Sequence, residues 1–362
     1  MPLLKEQKMA NDKVNDYDVI VIGAGPAGSC AAYTASAKGV KVLLADSRAQ
    51  PGTPIQCAEY VPTAVARYVP LVPGAVIQRI DKLVTYIYDE KASVIKSPGY
   101  ILNRSIFDAS LTDQAHRSGT HLWLQTRAFS HIDNEVQFKT ANGGILRARG
   151  KIIIGADGPV STVGKWMKST NSDFMVGLQW RMPLWKPHYS TDVYLDPKYR
   201  GGYAWLFPRG NEANVGVGVH KGYHYLLPGL VKSFVQNLID RSILYEALPS
   251  MHTGGLIPVG GPLTISYKNN MLLCGDAAGL THAVTGGGIM NAIVSGIIAG
   301  DTAVEAIQSK DMKILQSYQD KWNDLLGNFL NKAAVQRRMM SESWSDQTDE
   351  FTTLMKKTWI GF

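Results

Sequence analysis

The sequence predicts an α/β chain: a Rossmann-like dinucleotide-binding domain with an inserted, mainly antiparallel domain and C-terminal helices. Three observations predict it. The chain opens with an apolar strand, a glycine turn and a small-residue helix; two later apolar strands, 151–154 and 271–274, each end in a Gly/Asp pair; and the aromatic-rich stretch between them alternates in polarity.

Tyr17–Ile22 is a short β-branched run bounded by glycines, the pattern of a parallel strand buried on both faces. Pro26–Lys38 reads as a helix that tolerates proline in its first turn and is stopped by Gly39 in the left-handed conformation. Val40–Ala45 completes a β-α-β unit. Alternation over Lys82–Leu102 predicts antiparallel strands, Ser105–Ser118 a helix, and Leu122–Leu146 strands around an Asn142-Gly143-Gly144 turn. Lys151–Ile154 and Met271–Cys274 are further buried strands, and 166–255 reads as a second, antiparallel domain. Ile314, Leu315, Tyr318, Trp322, Leu325, Leu326, Phe329, Leu330 and Ala333 keep a 3-to-4 spacing that predicts one apolar helix face. The expected division is a flexible tail at 1–16, a discontinuous nucleotide-binding domain at 17–80, 103–165 and 256–310, a substrate domain at 81–102 and 166–255, and a helical segment at 311–362.

The 362 residues, 45% hydrophobic, suit two domains at about 150 residues each. No window holds the roughly 18 uninterrupted apolar residues of a membrane span, and the polar start lacks a signal peptide's apolar stretch, so a cytoplasmic protein is expected. Cys30, Cys57 and Cys274 form neither a C-x-x-C pair nor a cluster with histidines, which argues against disulfides and a metal site. The formal charge of +7 could attract an acidic electron carrier, an anionic membrane surface or a phosphorylated substrate. The basic residues are scattered, so a solvated surplus fits equally well, and no nucleic-acid partner is expected.

Gly23-Ala24-Gly25-Pro26-Ala27-Gly28 is a G-x-G-x-x-G between a predicted strand and a predicted helix. Its first glycine permits the tight turn, the second admits a pyrophosphate close to the backbone, and the third lets helix and strand touch. The helix start aims N–H donors at the anion. Asp46, followed by Ser47, closes the second strand where a carboxylate can accept from a ribose hydroxyl pair.

Gly155-Ala156-Asp157-Gly158, Gly275-Asp276-Ala277-Ala278-Gly279 and Arg104-Ser105-Ile106-Phe107-Asp108 resemble the remaining signatures of FAD-dependent hydroxylases and of the geranylgeranyl reductase family. The resemblance implies non-covalently bound FAD. It implies a ribityl contact for Asp276, an approach of Gly286-Gly287-Gly288-Ile289 to the ring, and places for Arg104, Ala128, Asp157 and Gly275 in the cofactor set. Glycines admit a flat ring, and N–H groups at a helix start favour the negative charge of reduced flavin.

Tyr203-Ala204-Trp205-Leu206-Phe207-Pro208 looks like the Y-x-W-x-F-P motif of geranylgeranyl reductases, and Gln56-Cys57-Ala58-Glu59 resembles their C-G-E segment. From the residues alone, Tyr203, Trp205 and Phe207 share one strand face, within a stretch that also holds Trp166, Trp180 and Trp185. That face could line a pocket for a long alkene or pack against the other domain. Cys57 could position substrate or donate a proton, or be a small buried hydrophobe. Cys30 and Cys274 read as buried. His282 reads as a solvated loop histidine, with proton donation as the alternative, and Glu59 as a surface carboxylate, with tuning of Cys57 as the alternative.

The expected function is reduction of a carbon–carbon double bond in an apolar or amphipathic substrate, with Cys57 catalytic. Electrons would come from NAD(P)H or a small acidic redox protein. An aromatic monooxygenase and an electron-transfer flavoprotein are the alternatives. Trp359-Ile360-Gly361-Phe362 is a candidate for peripheral contact with the inner membrane face.

Overall fold

The computed structural model describes residues 14–362. Most of the expected tail lies outside the described residues, but Val14–Asp16 belong to the first strand, β1 (Val14–Ile22), where they pair with Arg147–Arg149. Pairing continues as long as a partner strand lies opposite, and composition alone does not report this.

The described residues build two eight-stranded sheets. In the first, β1 is flanked by β2 (Val42–Ala45) and β9 (Ile145–Gly155), with β6 (His121–Trp123) outside β2 and β16 (Met271–Leu273) outside β9, all parallel. An antiparallel edge strand, β15 (Tyr267–Lys268), pairs with β16, and the ribbon β7 (Thr126–Ile132) and β8 (Glu135–Thr140) joins through β9. Val19–Val21, Val42–Leu44, Ile152–Ile154 and Leu272–Leu273 are all fully buried, as expected of parallel strands covered on both faces. Helix α1 (Pro26–Ser36) packs against α2 (Arg104–Arg117), and α3 (Thr162–Met167) contacts β9 and β16.

The second sheet runs β14 (Met251–Pro258), β10 (Phe174–Pro183), β13 (Glu212–His220), β12 (Tyr203–Arg209), β11 (Ser190–Leu195), β4 (Val76–Ile87), β5 (Glu90–Leu102) and β3 (Tyr60–Pro62). All pairs are antiparallel except β11 with β4. One face carries Ala204, Leu206, Val215 and Val217 against α4 (Leu227–Asp240) through Val231, Phe234 and Leu238. The other carries Tyr203 and Trp205 among Met175, Val259, Val284 and the C-terminal helices. Tyr60–Pro62 and Val76–Ile80 thus join the second sheet although they fall inside the expected 17–80 segment. The expected boundary at 165 cuts α3, whose Met167 sits in the first core, and β14 continues past residue 255 to Pro258.

Helix α5 (Ile289–Ser309) is long and apolar enough to cross a bilayer by length and composition, yet 72% of its apolar window is buried in the protein. A Cβ on Gly296 would lie 2.1 Å from the Ala27 carbonyl oxygen, and one on Gly300 2.6 Å from that of Ala31. Two glycines one turn apart therefore let α5 meet the α1 backbone directly. Beyond it lie α6 (Ser317–Trp322), a π-helical turn at Asn323–Gly327, α7 (Asn328–Glu342) and α8 (Thr348–Thr358). Tyr318, Trp322, Leu326 and Leu330 are buried at every fourth position. A helix of 3.6 residues per turn drifts off such a stripe, and the wider turn absorbs the difference. Leu325 and Phe329, expected on the apolar face, are 67% and 56% exposed for the same reason.

Two further stretches singled out in the sequence are placed by the structure. Trp166 stacks on His131, Trp180 lies beside His252 and Trp185 is largely exposed, so of the four clustered tryptophans only Trp205 joins the core around Tyr203. Trp359 is buried and donates to the Thr85 hydroxyl at 3.1 Å, while Ser93 donates to the Gly361 carbonyl. The C-terminal segment is thus fastened to β4 and β5, with Ile360 and Phe362 partly exposed.

Candidate flavin site and the substrate face

The glycine turn has the geometry its residues require. Gly23 adopts φ +103, and a Cβ there would lie 2.3 Å from the Ala156 carbonyl oxygen; one on Gly28 would lie 1.8 Å from that of Gly23. At Gly25 a Cβ would meet nothing within 4 Å among the described residues, so open space among them faces the helix start. Pro26 opens α1, Ala27 packs toward Gly275 and Gly296, and no side chain caps the first turn. Free N–H donors with that space in front of them fit a pyrophosphate. The Asp46 carboxylate accepts from the backbone N–H of Ala24 and of Arg48, both at 2.7 Å. It is thereby fixed at the end of β2 with lone pairs to spare for ribose hydroxyls. Ser47 is exposed beside it, and Ala128 is buried on β7.

The two later aspartates do different work. Asp157 accepts from the Ser161 hydroxyl at 2.5 Å and from the backbone N–H of Thr162 at 2.6 Å and Val163 at 3.3 Å, so it binds the start of α3. Burial raises its pKa against those donors. Among the described residues only the Thr281 hydroxyl donates to the Asp276 side chain, at 2.7 Å. Burial pushes Asp276 up, with Thr281 and the Arg104 charge opposing. A Cβ on Gly288, the residue before α5, would lie 3.0 Å from the Asp276 carboxylate. Gly275 and Gly286 adopt φ +59 and +70, Gly287 is exposed, and no side chain caps α5 ahead of Ile289. Glycine backbone, a free carboxylate oxygen and uncapped helical N–H groups fit a flavin ring and its ribityl chain.

Cys57 stands between α2 and the second sheet. The Glu59 N–H reaches its sulfur at 3.2 Å, and the Arg104 guanidinium lies beside it. Burial pushes the thiol up, with Arg104 opposing. Arg104 itself forms a bidentate pair with Asp108 at 2.7 and 2.8 Å. Burial alone would lower the guanidinium, but Asp108 reverses this and holds it charged.

Glu59, expected at the surface, is fully buried and has a left-handed φ of +72. Its carboxylate accepts from Arg209 Nε at 2.9 Å, Asn214 Nδ2 at 2.9 Å and Arg181 Nη2 at 3.3 Å, and Arg104 N lies 3.3 Å from its other oxygen. Sequence reasoning missed Arg181, Arg209 and Asn214. A fully buried asparagine in the apolar run Ala213–Val219 was the available signal, because a buried amide needs a partner.

His282 is buried too, with its ring 4.6 Å from that of Phe329 and its Nδ1 accepting from Thr285 at 3.1 and 3.3 Å. Burial lowers its pKa to about 4, so it is neutral near pH 7 and braces the glycine turn. It is not the solvated loop histidine expected.

Tyr203, Trp205 and Phe207 do share a face. The Tyr203 hydroxyl donates to the Thr285 carbonyl, placing the ring at the Gly286 turn. Trp205 lies over Gly216, where a Cβ would be 2.3 Å from the indole, and its Nε1 donates to Gln179 at 2.9 Å. Gln179 in turn donates to the Cys57 carbonyl at 3.3 Å. Phe207 is partly exposed against Tyr60. The face therefore packs against the first domain and also borders Cys57 and the glycine turn. Cys30 and Cys274 are buried, and among the described residues no His, Cys, Asp and Glu group could hold a metal.

Fold and site together define an FAD-dependent oxidoreductase. The family model described as FAD dependent oxidoreductase matches residues 18–177, and that described as geranylgeranyl reductase catalytic domain matches residues 174–251. A digeranylgeranylglycerophospholipid reductase of Methanosarcina acetivorans is 31% identical, covering 94% of this chain and 89% of the relative. The chain belongs to the geranylgeranyl reductase family. The crystal structure of a geranylgeranyl bacteriochlorophyll reductase-like protein from Thermoplasma acidophilum superposes with TM-score 0.84 at 25% identity, covering 96% of this chain and 97% of that one. A probable FAD-dependent monooxygenase from Pseudomonas aeruginosa, 17% identical with TM-score 0.72 over 94% of this chain and 100% of that one, shares the fold.

Proposed function

We propose that the chain reduces carbon–carbon double bonds in the hydrocarbon chains of an amphipathic isoprenoid or acyl lipid, with Cys57 as the catalytic thiol. The observation that carries this is the juxtaposition of a partly buried cysteine, an aromatic strand face and the glycine turn of the flavin site. The glycerophospholipid substrate named for the Methanosarcina relative supports it. When bound, FAD supplies hydride-transfer chemistry. Gly23–Gly28, Asp46 and Asp276 hold the cofactor, Gly286–Ile289 border its ring, Arg104 orients the Cys57 segment, and Ala128 and Asp157 support the surrounding backbone. Tyr203, Trp205 and Phe207 bind the alkene and exclude water. A thiol kept protonated by burial holds a proton where the second carbon of the double bond needs one. Electrons come from NAD(P)H binding transiently or from a small acidic carrier, which the formal charge of +7 favours.

The test is anaerobic. Dithionite-reduced protein mixed with a geranylgeranylated glycerolipid is expected to reoxidise with loss of one double bond per flavin, and Cys57→Ser is expected to slow that step by about 100-fold. Protein that stays reduced with a panel of alkenes, yet hydroxylates an aromatic compound and consumes oxygen in air, is instead a monooxygenase.

A further inference from the structure

We infer that Glu59 is a positioning residue: it clamps the Cys57 segment to the second sheet and sets where the thiol stands over the flavin site. This rests on the reading of Cys57 given above and names the device that makes it work.

The segment Gln56–Glu59 lies between α2 and the second sheet with little regular structure of its own. Gln56 Nε2 donates to the Gly254 carbonyl at 2.8 Å, Thr253 Oγ1 to the Ile55 carbonyl at 2.6 Å, and Gln179 to the Cys57 carbonyl. These anchor the backbone but leave the thiol's direction open. Glu59 closes that freedom. Its side chain gathers donors from three strands of the second sheet: Arg181 on β10, Arg209 on β12 and Asn214 on β13. Its own N–H meanwhile points at the Cys57 sulfur.

The left-handed φ of +72 is costly for a residue with a Cβ and persists where surroundings over-determine it. Here the over-determination comes from the two guanidinium groups and the amide. Two cations, 11% and 16% exposed at their side chains, thus share one carboxylate beside the only partly exposed cysteine among the described residues. The groups facing the thiol are the Arg104 cation from α2, the Glu59 carboxylate from its own segment and the Tyr203 phenol from β12. Glu59 opposes Arg104 there, so its charge bears on the thiol as well as its shape.

The experiment uses the FAD-loaded enzyme and the variant Glu59→Gln, which keeps shape and loses charge. Three readouts are expected. With FAD retained, kcat for alkene reduction falls by about 100-fold while KM changes little, the scale of a misplaced catalytic group. The pH profile of Cys57 alkylation by iodoacetamide, followed on the Cys57 peptide by mass spectrometry, moves to lower pH, with the rate at pH 7.5 rising about threefold. In a Cys57→Ser background Glu59→Gln costs no further activity, because the two changes act through one group. A Glu59→Gln enzyme with wild-type kcat, an unmoved alkylation profile, or a full additional loss in the Cys57→Ser background overturns the inference.

Should Glu59→Gln not fold, Arg209→Gln leaves Arg181 and Asn214 on the carboxylate. It is expected to lower kcat about tenfold and alter the alkylation rate with FAD retained; no change in either overturns the inference. The alkylation profile needs no turnover, so it separates this inference from the alkene-reductase reading, which fails when wild-type enzyme does not reduce the lipid.

Discussion

Tyr203 and Thr285 join the two halves of the site: the phenol on the second sheet donates to the carbonyl that opens the glycine turn of the first domain. Tyr203→Phe removes that donor and leaves the carbonyl without it. A buried hydrogen bond of this kind contributes about 1 kcal/mol, so FAD is expected to bind roughly five-fold more weakly, with the fold intact. Flavin fluorescence titration of apoprotein reads this directly, and unchanged affinity means that the turn holds its shape without the substrate sheet.

Asp276→Ala and Asp157→Ala should separate. Among the described residues one Asp276 oxygen has no donor, whereas Asp157 caps α3. The first change is expected to weaken FAD by roughly 1.5 to 3 kcal/mol with little effect on the apoprotein. The second is expected to cost about 1 kcal/mol of stability, the value of a lost cap, and to retain FAD. Equilibrium dialysis and urea unfolding of both variants decide it; equal loss of FAD in the two removes the distinction.

Gly216 exists to seat Trp205. Substitution by alanine pushes a methyl into the indole, with a Cβ 2.3 Å from the ring against a rigid aromatic. An overpacking cost of about 1 to 3 kcal/mol is expected in urea unfolding, together with weaker lipid binding as the Trp205 ring tips. A variant of wild-type stability shows instead that the ring has room to move.

His282 makes stability depend on pH. Its folded pKa, about 4, lies below the ordinary value of 6.5, so between these values the unfolded chain binds a proton that the folded chain does not. Stability is therefore full above about pH 6.5 and falls as pH drops toward 4, by on the order of 2 to 3 kcal/mol from this residue. His282→Asn, whose amide oxygen can accept from Thr285, should flatten the difference in unfolding free energy between pH 7 and pH 4.5. A difference as large as in wild type assigns the effect to other groups.

The geometry of the glycine turn was legible because it is local. Gly23 to Gly28 and the flanking strands lie in one β-α-β unit, and each glycine has a contact that explains it. The position of Asp276 after a buried strand was legible for the same reason. The Glu59 cluster was not, because its partners lie 122, 150 and 155 positions away and a single acidic residue carries no periodic signal. His282 was read as solvated because it stands in a loop, and the ring that covers it, Phe329, comes from a helix distant in sequence. Domain boundaries were misplaced where a strand outran its composition, as at Val76–Ile80.

The parallel sheet draws its five strands from residues as far apart as Val14 and Leu273, and α5 follows only after the last of them. On the ribosome, Gly288 and the start of α5 therefore follow the glycine turn at Gly25 only after the strands from β10 to β14 have been translated. Those five strands include the hairpin β12–β13 and the sequence-distant pair β10–β14. Contacts of such long range form slowly, because the chain between them must be ordered before they contribute. A nascent chain interrupted before α5 therefore contains every strand of the second sheet while lacking the glycine turn and helix start at Gly286–Ile289.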